Sequence, residues 1–232
     1  MKNSFKFQDK EYPLIVTRKK TKRIVIRVNP RGTILLSCPL SCPEGTALTF
    51  LERSRAWVEK TIRAQEENAE RLGVFSCLDY RSTYLYGNQY RLEEGKELGT
   101  AYEIREGVIL YKGNPAAALE QLRRDNFWYI EKEFLETYKR FSGLIKQKPF
   151  LTIRKMKSRW GSCNHRTGRI TVNRALVHLD SRLVRFVMYH EFAHLVHPNH
   201  GRAFKSLLGK LLPEYKTNEK ELKNYVFLLQ TE

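Results

Sequence analysis

One short run near the C-terminal end, His190-Glu191-Phe192-Ala193-His194, constrains this chain more than any other, because it asks for one local structure and then for its interruption. On a helix, residues i and i+4 lie one above the other, so His190 and His194 turn their imidazoles to the same side. Glu191 stands about 100° around the helix from His190, beside whatever the two rings hold. Pro198 breaks the helix soon afterwards, and Pro198-Asn199 can fold His200 back under the same face. A helix, a turn and a return are predicted, with three imidazoles and one free carboxylate converging.

Three nitrogen ligands and an adjacent carboxylate make up a catalytic zinc site, in which water takes the fourth position and has its pKa lowered to about 7. The expected ligands of one zinc ion per chain are His190, His194 and His200, with Glu191 as the base. His197 continues the helical face, but seven residues at about 1.5 Å rise put it roughly 10 Å along the axis from His190, too far for two Zn–N bonds of about 2.0–2.1 Å. Glu214 and Glu219 stay open as third ligands, since some zinc peptidases take a glutamate from a later helix. Three-histidine sites also accept nickel, copper or iron. His165, in a polar turn, and His178, ahead of the helix, are read as ordinary histidines.

Around these residues the sequence takes on a family pattern. Lys157-Ser158-Arg159-Trp160-Gly161-Ser162-Cys163, then Gly168-Arg169-Ile170-Thr171-Val172-Asn173, then His190 to Leu195, then Asn199-His200-Gly201 with Phe204 resemble the YgjP-like family of metal-dependent hydrolases, which is similar to the WLM and SprT-like zinc peptidases. The basic residues from Arg18 to Arg23, Trp57 and Tyr86-Gly87 fit more loosely, so the resemblance covers most of the chain. It implies a zincin-like catalytic lobe with His190, His194 and His200 on the metal and Glu191 as base. In peptidases of that kind the strand beside the metal pairs with extended substrate, which puts Arg159, Trp160, Gly161 and Ser162 at the substrate. Members often carry tryptophan after the strand asparagine and after the phenylalanine that follows the third histidine, whereas Arg174 and Lys205 stand there in this chain. The histidine spacing also matches metzincins, but His197 occupies their glycine position and no methionine follows His200.

With 232 residues and 41% apolar content, the chain is long enough to bury its own core. No apolar run approaches the roughly 18 residues that span a bilayer, and Met1 to Pro13 is too polar for a signal peptide, so a cytoplasmic protein without membrane contact is expected. Cys38, Cys42, Cys77 and Cys163 are scattered and form no CxxC pair, against a disulfide framework or a second zinc site. Cys163 is expected to be a packing residue, with a place in the wall of the site as the alternative. The 42 Lys and Arg against 25 Asp and Glu give a formal charge of +17, a field that attracts polyanions. Arg18-Lys19-Lys20-Thr21-Lys22-Arg23 is the densest patch, and Arg154, Lys155, Lys157 and Arg159 lead toward the histidines. Nucleic acid is therefore a candidate partner beside a protein or peptide substrate.

The predicted fold class is α+β. Ile24 to Val28 and Thr33 to Ser37 flank Asn29-Pro30-Arg31-Gly32 as a β-hairpin. Ser41-Cys42-Pro43-Glu44 resembles a capping box ahead of one long helix, with Ala47, Phe50, Leu51, Trp57, Val58 and Ile62 as its apolar stripe and Gly73 as its end. Further strands are expected near Tyr80 to Leu92 and Ala101 to Tyr111. The turn cluster Lys112-Gly113-Asn114-Pro115 sets the expected boundary, with an N-terminal β-rich part over 1–114 and a zincin-like lobe over 115–232. That lobe should hold a helix from Ala116 to about Phe141 and a small antiparallel sheet, in which Phe150 to Lys157 and Gly168 to Asn173 form a hairpin. The histidine helix, capped by Asp180 or Ser181, should follow, then helices through Leu207 to Leu212 and Tyr225 to Leu229.

The chemistry these residues predict is peptide-bond hydrolysis, with Glu191 carrying a proton from water to the leaving amine. Arg159, His197, Asn199 and Tyr215 are candidate oxyanion donors, and His197 could instead support the ligands from behind. Two rival readings use the same residues. One is a metal-dependent hydrolase of nucleotide phosphoanhydrides, for which a basic cleft would suit a triphosphate although no Gly-rich phosphate loop is present. The other is a basic nucleic-acid-binding module with a structural metal, which would need closed four-ligand coordination.

Overall fold

A computed structural model of the chain describes residues 4–29 and 32–229. The fold class is α+β, and the chain divides into two compact units between Phe75 and Ser76. This division falls earlier than the turn cluster at Lys112 to Pro115, because the strands between the two points join a sheet that shares its core with Leu119 and Leu122 and contacts the 3-10 segment Arg174–His178.

The first unit is a sheet with helices on one face. Strands β1 (Ser4–Phe7), β2 (Lys10–Lys19), β3 (Val25–Val28) and β4 (Ile34–Pro39) form a four-stranded sheet in the order β1-β2-β4-β3. The expected hairpin forms, with Val28 opposite Ile34 and the Asn29 side chain accepting from Thr33 N at 2.8 Å; Pro30 and Arg31 of its turn lie outside the described residues. Gly32 holds φ +77°, and a Cβ there would come within 2.7 Å of the Tyr12 ring, so the turn needs glycine for two reasons. Helix α1 (Glu44–Arg53) starts with Pro43 at its N-cap and no side-chain cap, so Ser41 does not close the expected box; the side chain of Glu44 lies outside the described residues. The single helix expected here is two, because the chain bends at Ser54 before α2 (Arg55–Arg71). Ala47, Leu51, Val58 and Ile62 are buried as the stripe requires, whereas Phe50 and Trp57 stand exposed at its margin.

The second unit begins within the short helix α3 (Val74–Leu78) and continues into a four-stranded sheet. Its strands are β5 (Ser82–Leu85), β6 (Asn88–Glu94), β7 (Tyr102–Arg105) and β8 (Val108–Tyr111), in the order β5-β6-β8-β7. Helix α4 (Pro115–Asp125) is capped by Asn114, which accepts from Ala116 N and Ala117 N. The expected long helix is interrupted at Asn126, whose side chain donates back to Leu122 O, and resumes as α5 (Phe127–Phe141).

The sheet beside the histidines is mixed rather than antiparallel. Strands β9 (Phe150–Arg154), β10 (Gly161–Asn164) and β11 (Arg169–Asn173) lie in the order β10-β11-β9. The hairpin is β10 with β11, while β9 runs parallel to β11, so the stretch from Lys155 to Trp160 crosses from one edge of the sheet to the other. A 3-10 turn (Arg174–His178) then leads to α6 (Ser181–Val196), which Asp180 caps by accepting from Leu183 N at 2.9 Å. Helices α7 (Arg202–Leu211) and α8 (Tyr215–Leu222) follow, and Tyr225 to Leu229 lie in a closing 3-10 turn (Lys223–Leu229) rather than an α-helix. No helix among the described residues is long and apolar enough to cross a membrane.

His178 has a role in this core that its sequence neighbourhood does not suggest. It is fully buried, contacts Tyr84 O through Nδ1, and accepts from Arg123 Nε at 2.9 Å through Nε2. Burial first, and the Arg123 charge second, push its imidazole down from 6.5 to about 3. The unfolded chain takes up this proton near 6.5 and the folded chain only near 3. The stability His178 contributes is therefore complete above pH 6.5 and is lost as the pH falls from 6.5 toward 3. Urea unfolding should give a lower midpoint at about pH 4.5 than at about pH 7, and the His178→Gln variant, which cannot titrate, should show a shallower dependence. Parallel curves for the two proteins would remove His178 as the cause.

Candidate metal centre

Helix α6 carries the site because nearly all of it is packed. Leu183, Val184, Phe186, Val187, Met188, Phe192 and Ala193 are buried, with Phe192 tilted against Phe134 and Phe141 of α5. His190 and His194 take the remaining face one turn apart, with ring centroids 5.0 Å from each other. The helix ends where expected: His197 N bonds to Ala193 O at 2.8 Å, and His197 itself leaves helical geometry at φ −130°, ψ 99° ahead of Pro198. The turn returns His200 to the cluster, at centroid distances of 4.9 Å from His190 and 4.6 Å from His194.

These three residues satisfy the demands of a metal. One ring nitrogen from each lies within 4.8 Å of the other two, and His190 Nε2 and His200 Nε2 stand 3.0 Å apart. Two Zn–N bonds of about 2.0–2.1 Å meeting at a tetrahedral angle hold their nitrogens roughly 3.3 Å apart, close to that spacing. His194 Nδ1 faces Pro198 O at 3.1 Å; a carbonyl can only accept, so Nδ1 carries the proton and Nε2 is left as the ligand atom. Burial, followed by the neighbouring histidines, pushes His190 down to about 4, and burial lowers His194 too, so both rings favour the neutral form that coordinates. Behind all three imidazoles lies the Phe204 ring, at 5.2, 4.7 and 4.8 Å from His190, His194 and His200. Neither Glu214 nor Glu219 joins the group. Glu219 instead lines a neighbouring cleft, paired to Lys223 at 3.8 Å.

Glu191 stands about 100° around α6 from His190, against β10, and the two line one cleft. A Cβ built on Gly161 would lie 2.6 Å from Glu191 Oε1 and 2.7 Å from its Cγ, so only glycine lets the strand come this close. The carboxyl group is buried, at 6% exposure, and burial pushes its pKa up to about 8 while the Arg159 charge draws it partly back. Two residues along β10, on the same side of the strand, Cys163 feels the same burial and the Glu191 charge, and its thiol is pushed up to about 12. The packing role expected for Cys163 is thus only half the account, because this half-buried thiol also belongs to the wall around Glu191.

Arg159, Trp160 and Gly161 line a cleft together with Phe186, Val187, His190, Glu191, Leu222 and Val226. Ser162 lies in the same strand, opposite Thr171. The remaining sequence candidates stand apart from this cleft: Asn199 is exposed in the turn, His197 closes α6, and Tyr215 packs near Gly209 at the start of α8. Two residues that shape the site were not assigned such a role from sequence. Asn173, fully buried, donates to Met156 O at 2.7 Å and Arg159 O at 3.0 Å, and its backbone N bonds to Trp160 O, which fixes the crossing that delivers Trp160 and Gly161. Phe204 is the other; both residues belong to the family pattern in the sequence, which gives neither of them a role.

Among solved structures, the chain is similar to the metallopeptidase zymogen of Pyrococcus abyssi abylysin, at 21% identity over 42% of this chain and 94% of that one, with a TM-score of 0.38. It is similar also to the metallopeptidase zymogen of Methanocaldococcus jannaschii jannalysin, at 25% identity over 40% and 85% of the two chains, with a TM-score of 0.36. No curated protein matches it. The family described as "YgjP-like, metallopeptidase domain" matches residues 22–225, which takes in the histidine cluster, Glu191 and the Gly161 strand. The chain belongs to the YgjP-like metallopeptidase-domain family of metal-dependent hydrolases.

Proposed function

We propose that the chain is a zinc-dependent peptidase whose second unit is a zincin-like lobe, with His190, His194 and His200 as ligands and Glu191 as the general base. The observation that carries this reading is the pairing of three converging imidazoles with a buried carboxylate that belongs to no ion pair among the described residues. A zinc ion held there supplies Lewis acidity, which polarises a carbonyl and makes water more acidic. Glu191 takes the proton of the attacking water and returns it to the leaving amine as the C–N bond breaks. Its burial strengthens it as a base, because a desolvated carboxylate binds a proton more tightly.

The substrate follows from the walls of the cleft. Strand β10 is at the sheet edge, and an edge can accept an extended peptide through main-chain bonds. Trp160, Phe186, Val187, Leu222 and Val226 offer an apolar recess beside Glu191 for one side chain of that peptide. A nucleoside triphosphate is the weaker reading, since among the described residues the cations lining the cleft are Arg159 and Lys223, and Lys223 already pairs with Glu219. A group of three metal-binding side chains among the described residues likewise suits a catalytic metal better than a purely structural one.

Four variants test this reading. Glu191→Gln should keep one zinc per chain while hydrolysis of an unfolded protein falls by about 10²–10⁴-fold; equal turnover in the variant would remove Glu191 from the chemistry. His200→Ala should lose the metal on dialysis whereas Glu219→Ala keeps it, as read by elemental analysis, and the reverse order would exchange the third ligand. Gly161→Ala should bind zinc like the wild type yet hydrolyse peptide at least about tenfold more slowly, because its methyl group displaces the Glu191 carboxylate.

A further inference from the structure

The first unit carries a concentration of charge that the metal centre does not use. Between Tyr12 and Pro43 the sequence holds seven Lys and Arg and no Asp or Glu. Six of these cations, Arg18, Lys19, Lys20, Lys22, Arg23 and Arg27, fall in or between β2 and β3. Among the described residues none of the six has a carboxylate partner within 4.0 Å. Their neighbours in the same unit behave differently: Lys6 pairs with Glu11 at 3.1 Å, Lys10 with Glu66 at 3.2 Å and Arg55 with Glu52 at 2.9 Å. Unneutralised cations this close together repel one another, a cost that an anionic partner would remove.

The backbone beneath them presents the charge outward. From Ile15 to Asn29 no described residue is buried, although β2 and β3 are both paired to β4. Ile24, Ile26 and Val28 turn toward the core, which leaves Val25 and Arg27 on the open face of the sheet. The register sets Arg27 beside Leu35 and Leu35 beside Ile15, and Thr17 beside Ser37 beside Val25. The connection between the strands is tied by Thr21, whose backbone N bonds to Lys19 O at 2.8 Å and whose side chain bonds to Arg23. The cations thus project from a held turn and a sheet face rather than from a loose tail.

We propose that this face, Arg18 to Arg23 with Arg27, binds duplex DNA through its phosphates and without sequence preference. Charge complementarity selects a regularly charged polyanion. The face carries no aromatic side chain on which unpaired bases could stack, which disfavours a single strand. The uncharged hydroxyls beside these cations are Thr21 in the turn and Thr17 and Ser37 on the sheet face, too few to read successive 2′-hydroxyls of duplex RNA. This inference stands independently of the proposed hydrolysis, since no residue of the face belongs to the metal centre.

The test is fluorescence anisotropy of the full chain with a labelled duplex DNA of arbitrary sequence, titrated over a range of salt. If most of the six cations meet phosphates, log K should fall with log salt at a slope of about −4 to −5. The variant K19Q/K20Q/K22Q should lose about three from the magnitude of that slope and bind at least roughly tenfold more weakly, and R23Q/R27Q should lose about two. The control K96Q/K132Q/K139Q makes the same change in net charge on the second unit and should leave the slope as it is. Equal losses in the control would reduce the effect to the overall charge and overturn the proposal. So would tighter binding to single-stranded DNA, to duplex RNA or to vesicles of anionic lipid.

Discussion

The site rests on the closeness of β10 to α6 at Gly161 and Glu191. A strand that lies on a helix is ordinarily held off by its own side chains. Here one is missing where it would collide, and the backbone comes down onto a carboxylate. Glu191 is thereby left only 6% exposed at the edge of the cleft, Trp160 becomes a wall of that cleft, and Cys163 is drawn into the same surroundings. None of these effects needs the metal. They follow from a strand without a Cβ at one position.

Such an approach persists only if the strand is held from behind, and here buried polar groups do that work. Asn173 bonds at both ends of its amide, tying the crossing strand to the start of the 3-10 turn through Ala175 N. Immediately beyond it, His178 and Arg123 join that turn to α4, and Tyr86 N and Gly87 N bond to Val177 O and His178 O, joining it to the β5–β6 turn. A buried polar group that lost its partner would cost about 1–3 kcal/mol, so each bond specifies an arrangement as much as it stabilises one.

What could be read from the sequence was what depends on near neighbours. The i, i+4 histidines, the Asp180 cap, the break at Pro198 and the hairpin around Asn29 each obey a local rule, and the structure follows each. The failures have longer reach or weaker punctuation. Helix breaks at Ser54 and Asn126 carry neither proline nor glycine, so periodicity ran straight through them. The parallel pairing of β9 with β11 is invisible in two alternating stretches separated by a hairpin turn that belongs to a third strand. His178 read as ordinary because the arginine that buries its nitrogen lies 55 residues earlier. Gly161 was named as lying against substrate, yet its conformational reason, room for Glu191, needed the helix and the strand in one place.

The third histidine of the cluster and the aromatic ring behind all three come from one short piece of chain. His200 sits just ahead of α7, and Phe204 lies in its first turn, with Gly201 at the N-cap making no side-chain cap bond. A helix start without a side-chain cap is a place where fraying begins. If that turn opens, His200 and its backing leave together, while His190 and His194 remain fixed on the most deeply packed helix. Under the proposed assignment, loss of a metal from this centre would then follow the unwinding of α7 at its first turn, and metal exchange and local unfolding would become one event.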